Sequence, residues 1–402
     1  MSESSGLTAD GLESELTARE RDVSRLELLD FAVGYPELPV PDWLAQIWYE
    51  SPLSELLARF LRRHPDVNAT HYQRLPSSLA LEHCFVRAAL EFLNLPSTLA
   101  GNSFVTFSGS IALERALAIA VKPNGLARLP TPIFDVIPGF LRQRGVELDW
   151  WELHPGAPEW TAATMGLNAH DATVVVSPDN PSGEVIPEAI LRKLADEAFA
   201  SHSVLVADQS FALLSSSGSP APLLAGVAER AQSWIMVWDT GKTFDLDDEK
   251  IGIIVVSDDL RSRAMDAIGL VQCALPRRLT MQMTLILEEA GRAGYIEWLA
   301  SVRRESERLL RQFADDVGAT VDVPHWGGFA TVDLLGLDVN IVVSEAQRIG
   351  LGLLTTMPFS RRTPLEGQVR PQLRLPLMRR AAMVRDSLDR LATVVRVMTS
   401  QR

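Results

Sequence analysis

Six short apolar runs, rich in valine and isoleucine, alternate with longer amphipathic stretches through the first two-thirds of this chain. That alternation limits the folds open to it. The runs lie near 104–107, 127–129, 173–176, 203–207, 234–238 and 251–256, and helical periodicity starts at Ile111, Phe134 and Pro187. Strands apolar on both faces and separated by helices predict an α/β fold, with a mostly parallel sheet flanked by helices. Over 40–95 the periodicity is helical, with Leu53, Leu56, Leu57, Phe60 and Leu61 recurring at three- and four-residue spacing. After about 285 the pattern changes to a long amphipathic helix over 295–317. A strand-rich stretch follows (320–323, 328–332 and 340–343), then a strand at 370–375 and a helix from Arg379. The expected division is an N-terminal arm over 1–45, a large domain over 46–285 and a small α+β domain over 286–402. The arm carries a short strand near 30–36, broken by a Gly/Pro turn.

Composition excludes several function classes. The 402 residues are 47% apolar and 22% charged, which is enough for a sizeable core in a soluble protein. A net charge of −13 argues against nucleic-acid or anionic-membrane partners, since both need a basic footprint. No apolar run reaches ~18 residues and no signal-peptide pattern opens the chain, so neither a membrane span nor secretion is expected. Cys84 and Cys273 have no CxxC partner and stand among apolar neighbours; they read as free buried thiols in a reducing cytoplasm. No His/Cys/Glu cluster has metal-ligand spacing.

Against 34 arginines there are four lysines. Lys122 lies in a helix exit and Lys193 on a polar helix face. Lys242 stands at the mouth of a strand, in Trp238-Asp239-Thr240-Gly241-Lys242, and Lys250 follows eight residues on. Upstream, three other strands end in polar groups. Phe107-Ser108-Gly109-Ser110 opens a helix, where free amide hydrogens and the helix dipole attract an anion; the same residues also make an ordinary loop and N-cap. Ser177-Pro178-Asp179-Asn180-Pro181-Ser182-Gly183 can hold the Asn180 amide rigidly against a ligand, or be a plain turn. Asp208 ends its run where ligands bind in parallel sheets, or it caps a helix.

The conjunction of these segments resembles fold-type I pyridoxal-phosphate enzymes of the class I/II aminotransferase superfamily, from about Asp30 to the C-terminus. The resemblance implies a large domain with a mostly parallel sheet plus a small α+β C-terminal domain, and pyridoxal 5'-phosphate as cofactor. It implies a Schiff base on Lys242, a phosphate cup that includes Ser108, Gly109, Ser110, Thr240 and Lys250, and Phe134 stacked on the ring. Asn180 would bond the ring 3-oxygen, Asp208 the ring nitrogen and Arg374 the substrate carboxylate. Tyr72 fits a tyrosine that reaches the phosphate across a homodimer interface.

Three departures stand out. The usual Ser-x-Ser-Lys is here Asp239-Thr240-Gly241-Lys242. A tyrosine that normally bonds the ring 3-oxygen is Phe211, and the usual phosphate arginine is Lys250. All three are similar to the pyridoxal-phosphate-dependent arginine oxidases/hydroxylases of natural-product pathways. Where that branch has Asp-Gly-His, however, this chain reads Val33-Gly34-Tyr35, with Tyr35 on the substrate side. The acidic run Asp245 to Glu249 could attract a cationic substrate or be a solvated loop. The expected function is chemistry at Cα of a small amino acid through an external aldimine and a quinonoid, aminotransferase-like and in a specialised pathway. Oxidation by O2, β- or γ-elimination or replacement, and a binding protein that has lost catalysis are the alternatives.

Overall fold

The structure is a computed structural model that describes residues 19, 22–23, 28–32, 36–67, 77–152, 170–229, 232–246, 249–272, 274–359 and 371–401. A two-residue strand, β1 (Leu29–Asp30), precedes a seven-stranded sheet. The sheet comprises β2 (Ser103–Thr106), β3 (Leu126–Thr131), β4 (Glu147–Glu152), β5 (Ala172–Val176), β6 (Val204–Asp208), β7 (Trp234–Asp239) and β8 (Gly252–Val256). Its spatial order is β2-β8-β7-β6-β5-β3-β4. The strands from β4 across to β7 are parallel, whereas β8 runs antiparallel to both β7 and β2.

Helices cover both faces, as strands apolar on both sides require. They are α1 (Leu53–Arg63), α2 (Ser78–Phe92), α3 (Gly109–Ala120), α4 (Val136–Gln143), α5 (Glu188–Ala200), α6 (Arg261–Gly269) and α7 (Arg277–Arg292). Alternate residues of β7 show how the layers are divided. Trp234, Met236 and Trp238 join Leu81, Phe85, Leu191 and Met283 in one core. Ile235 and Val237 join Ala112, Ala116 and Ala264 in the other. Side chains point to opposite faces at every step of a strand, so one continuous apolar run serves two cores.

The long helix α8 (Tyr295–Val317) has the predicted bounds and ends at Gly318, whose φ of 67° is the left-handed stop that glycine adopts without strain. Beyond it lie β9 (Thr320–Asp322), β10 (Phe329–Asp333), α9 (Val339–Arg348), β11 (Leu351–Gly352), β12 (Leu354–Thr355), β13 (Leu373–Pro376) and α10 (Ala381–Ser400). An antiparallel sheet of order β12-β13-β10-β9 packs Val332, Leu373 and Leu375 against Leu310, Phe313, Val384 and Leu391. β1 pairs in parallel with β11, which ties the N-terminal segment to this region.

Two expectations need correction. Residues 340–343 are not a strand but the start of α9. Asp338 caps that helix by accepting the Asn340 N–H at 2.9 Å, and burial falls on Val339, Val342 and Ala346 while Ile341 is half exposed. That spacing is helical, and packing overrides the β propensity of Val-Asn-Ile-Val-Val. β4 was also unanticipated. It is a sheet edge of sequence Glu-Leu-Asp-Trp-Trp-Glu, bonded on one side only, so it shows no apolar run. Among the described residues, no helix is long and apolar enough to cross a membrane.

Candidate active site

The carboxyl ends of β5, β6 and β7 meet in register. Val176 pairs with Asp208 and Asp208 with Val237, and the ladder runs on through Ser177 N–H to Asp208 O and Gln209 N–H to Val237 O, both 2.9 Å. The Asn180 loop, Asp208 and the Lys242 turn therefore leave one edge side by side. The Lys242 turn is a single 3-10 turn, Thr240–Lys242, and Lys242 itself is half-buried.

Asp208 is 8% exposed. Burial pushes its carboxyl above the usual range and the nearby Asp239 charge adds to that; two hydrogen bonds from Ser210 and the charge of Lys242 oppose it. Both Ser210 bonds go to Oδ1, from N–H at 3.1 Å and Oγ at 2.6 Å. Among the described residues no hydrogen bond reaches Oδ2. A buried carboxylate with one oxygen so placed is suited to a cationic N–H donor.

Asn180 is held by its neighbours. Asp179, buried enough to raise its carboxyl to about 6, accepts Ser182 N–H at 3.2 Å and Ser182 Oγ at 2.6 Å. Gly183 closes the loop at φ 68°, and a Cβ there would lie 2.3 Å from Pro324 and 2.5 Å from the Trp326 carbonyl. The loop is thus pressed onto the segment that leads into β10.

Arg374, in β13, is fully buried and donates from Nη1 to Asn180 Oδ1 at 3.3 Å and from Nη2 to Ala32 O at 2.6 Å. Its guanidinium stands 4.2 Å from the Phe329 ring centre and 5.1 Å from that of Phe359. Phe329 meets Phe211 edge-on, and Phe211 lies 5.8 Å from Lys242 Nζ. A line of contacts therefore joins the lysine to the arginine.

At the start of α3, Ser108 Oγ caps the helix by accepting Ile111 N–H at 3.3 Å, and Ser110 is exposed. Thr240 Oγ1 accepts Ile251 N–H at 2.9 Å, which pins the turn to the start of β8. The Lys250 stem packs on Gly241, where an added Cβ would lie 2.8 Å from Lys250 Cδ. Half-buried Phe134 sits between the sheet core and a small cluster of Val23, Ala32, Leu354 and Phe359. Tyr35 and Tyr72 lie outside the described residues. Asp245 Oδ2 accepts Leu38 N–H at 3.1 Å, so this member of the acidic run is a structural tie.

Sequence reasoning missed Asp239 as a participant. Its carboxylate accepts two loop N–H groups, from Gly109 and Gly241. The carboxylate at a strand end, two residues before a glycine, was the available signal.

Residues 52–327, more than two-thirds of the chain, match the sequence profile of Aminotransferase class I and II. The chain belongs to this family. Class I and II aminotransferases use pyridoxal 5'-phosphate, and the residues just described fit it: a buried carboxylate with an oxygen to spare, an amide, and a helix start beside two lysines. Solved structures with the same fold include N-succinyldiaminopimelate aminotransferase from Mycobacterium tuberculosis, 17% identical with a TM-score of 0.77, over 96% of this chain and 98% of that one. MppP soaked with the product 2-ketoarginine is 22% identical with a TM-score of 0.73, over 91% and 99%. Aspartate aminotransferase from Thermus thermophilus with maleate is 20% identical with a TM-score of 0.73, over 95% and 97%. No curated protein matches this class I and II aminotransferase chain.

Proposed function

We propose that the protein transfers the amino group of a small α-amino acid, with Lys242 as the residue that bonds the cofactor and carries the substrate's Cα proton. The observation behind this reading is the line of contacts from Lys242 through Phe211 and Phe329 to Arg374, which also bonds Asn180. Bound pyridoxal phosphate supplies an electron sink for the charge left at Cα when that proton departs.

The chain's own residues divide the remaining tasks. Asp208 offers Oδ2 to the ring nitrogen and, as a buried anion, favours its protonated state. Asn180 orients the 3-oxygen side. Phe134 covers the ring, while Ser108, Gly109, Ser110, Thr240 and Lys250 surround the phosphate end. Arg374 takes the substrate carboxylate with a planar fork, sandwiched so that it cannot swing away. Lys242 Nζ then moves a proton from Cα, a contribution of roughly 10²–10⁴-fold for a placed base. Phe211 gives the lysine an apolar neighbour and no hydroxyl, a local chemistry that fits a specialised branch.

Tyr35 would face the substrate, and Tyr72 would reach the phosphate of a second copy. Exposed Leu79, Phe107, Ile111, Leu270 and Val271 favour a homodimer. A second reading, oxidation of the amino acid by O2, is favoured by Phe211 in place of a hydroxyl and by Asp239-Thr240-Gly241. On that reading the keto acid forms without an amino acceptor.

The test is an amino-acid panel incubated with and without a 2-oxo acid. The expected outcome is amino transfer that needs the acceptor and disappears in Lys242→Ala, together with the protein-bound visible absorption of the cofactor. Oxygen consumption with no transfer would replace the first reading by the second. A visible band unchanged in Lys242→Ala would sink both.

A further inference from the structure

Asp239 ends β7 three residues before Lys242, and its carboxylate joins two loops that are far apart in sequence. Oδ2 accepts the Gly109 N–H at 2.9 Å and Oδ1 the Gly241 N–H at 2.6 Å, and the residue is 4% exposed. Gly109 is the first residue of α3, where unpaired N–H groups and the helix dipole favour negative charge. A carboxylate of the chain itself already takes that amide. The fit is close, because a Cβ on Gly109 would fall 2.4 Å from Asp239 Oδ2 and 2.7 Å from its Cβ. On the other side, a Cβ on Gly241 would lie 3.2 Å from Asp239 Oδ1 and 2.8 Å from Lys250 Cδ. Both glycines are thus needed to admit this one side chain and its neighbour.

Among the described residues, the charged groups near Asp239 include Asp208 at the end of β6, Lys242 in the turn and Lys250 before β8. β2 and the first turn of α3 bring none. Asp239 is close enough to Asp208 for its charge to push that carboxyl up, so the two acids share one electrostatic neighbourhood.

We propose that Asp239 is a positioning residue of the cofactor site, whose carboxylate fastens the Lys242 turn to the first turn of α3 and sets a second negative charge beside Asp208. This rests on Lys242 being the lysine that bonds the cofactor. Two consequences follow. The backbone under Lys242 is referenced to the helix start that faces the phosphate, and not only to its own strand. The paired negative charges also hold a proton on the lysine-bound cofactor to higher pH than a neutral residue would. A serine at this position could donate to phosphate but could not bridge two amides as an acceptor while carrying charge.

Asp239→Asn and Asp239→Ser, purified with cofactor, provide the test. The pH midpoint of the visible cofactor absorption is the main readout, and circular dichroism checks that each variant is folded. Both variants are expected to titrate about one pH unit below the parent, since both lose the charge. Equilibrium dialysis adds a second measure: Asp239→Asn, which can accept only one of the two N–H groups through its single oxygen, should bind cofactor several-fold more weakly. Midpoints in both folded variants indistinguishable from the parent's would overturn the proposal. A folded variant that no longer retains any cofactor would support the fastening role. If instead Lys242→Ala keeps the parent's band and titration, the lysine assignment fails, and that result is separable from any outcome at Asp239.

Discussion

Arg374 is a fully buried cation, and its surroundings explain why an arginine stands there. Two aromatic faces flank the guanidinium and two of its nitrogens are committed, to Asn180 Oδ1 and Ala32 O. A lysine could fill neither the sandwich nor the fork. Arg374→Lys is expected to raise KM for the amino substrate about 10–100-fold, the loss of a charge-assisted bidentate contact of about 1.5–3 kcal/mol. The cofactor absorption should move little, and steady-state kinetics beside a spectrum would check both. Equal disturbance of the two would mean that Arg374 serves the cofactor and not the substrate. Asn180, Asp208 and Lys242 were legible in the sequence because each lies within four residues of the end of an apolar run, where a strand stops. Arg374 was legible only through the family resemblance. The bridging role of Asp239 was not, since it depends on the Gly109 amide, and sequence spacing gives no sign that β7 ends beside the start of α3.

At the level of elements, α1, α2 and α7 are clamped by charge. His64 Nε2 lies 2.9 Å from Glu288 Oε1, while Arg63 reaches Glu288 and Glu289 at 3.0 and 2.6 Å and Arg59 reaches Glu289 at 3.2 Å. The neighbouring Cys84 and Glu288 raise His64 to about 9, against the opposing effect of burial. Burial pushes the Cys84 thiol up, but the neighbouring His64 and the Arg87 guanidinium outweigh it and bring it down. A histidine raised in the folded state stabilises fully below its unfolded pKa of about 6.5 and loses that contribution as pH climbs through about 9. Stability should therefore fall between about pH 7 and pH 10 by on the order of 2 kcal/mol more in the parent than in His64→Gln. Thermal unfolding across that range would measure it, and parallel curves for the two proteins would refute it. None of this clamp was visible in the sequence, because its ion pairs join α1 to α7 across more than two hundred residues. The misread 340–343 segment has the opposite cause. There the local signal was strong, but β-branched residues pack on a helix face as well when burial recurs at three and four.

At the scale of the whole molecule, α8 holds the large sheet's surroundings and the antiparallel sheet together through Arg303. Its side chain, fully buried, bonds Ser216 Oγ, Glu307 and the carbonyls of Pro324 and Gly327. The segment it gathers is the one that presses on Gly183 and so holds the Asn180 loop. Arg303→Ala should cost about 3–5 kcal/mol, because it strips partners from several buried polar groups at once. Urea unfolding is the measurement, and a loss below about 1 kcal/mol would show the network to be incidental. Fold class was legible at this scale from the alternation of runs, yet strand order was not, since the position of β8 between β2 and β7 depends on which edges pair. That reversed β8 has a consequence of its own. Because it alone enters the sheet from the ligand side, Lys250 and Lys242 are anchored at adjacent points, with Thr240 N–H on Ile251 O at 3.1 Å and Thr240 Oγ1 on Ile251 N–H. Any shift in where β8 begins therefore moves both cations together, because Thr240 ties the Lys242 turn to Ile251, the residue that follows Lys250.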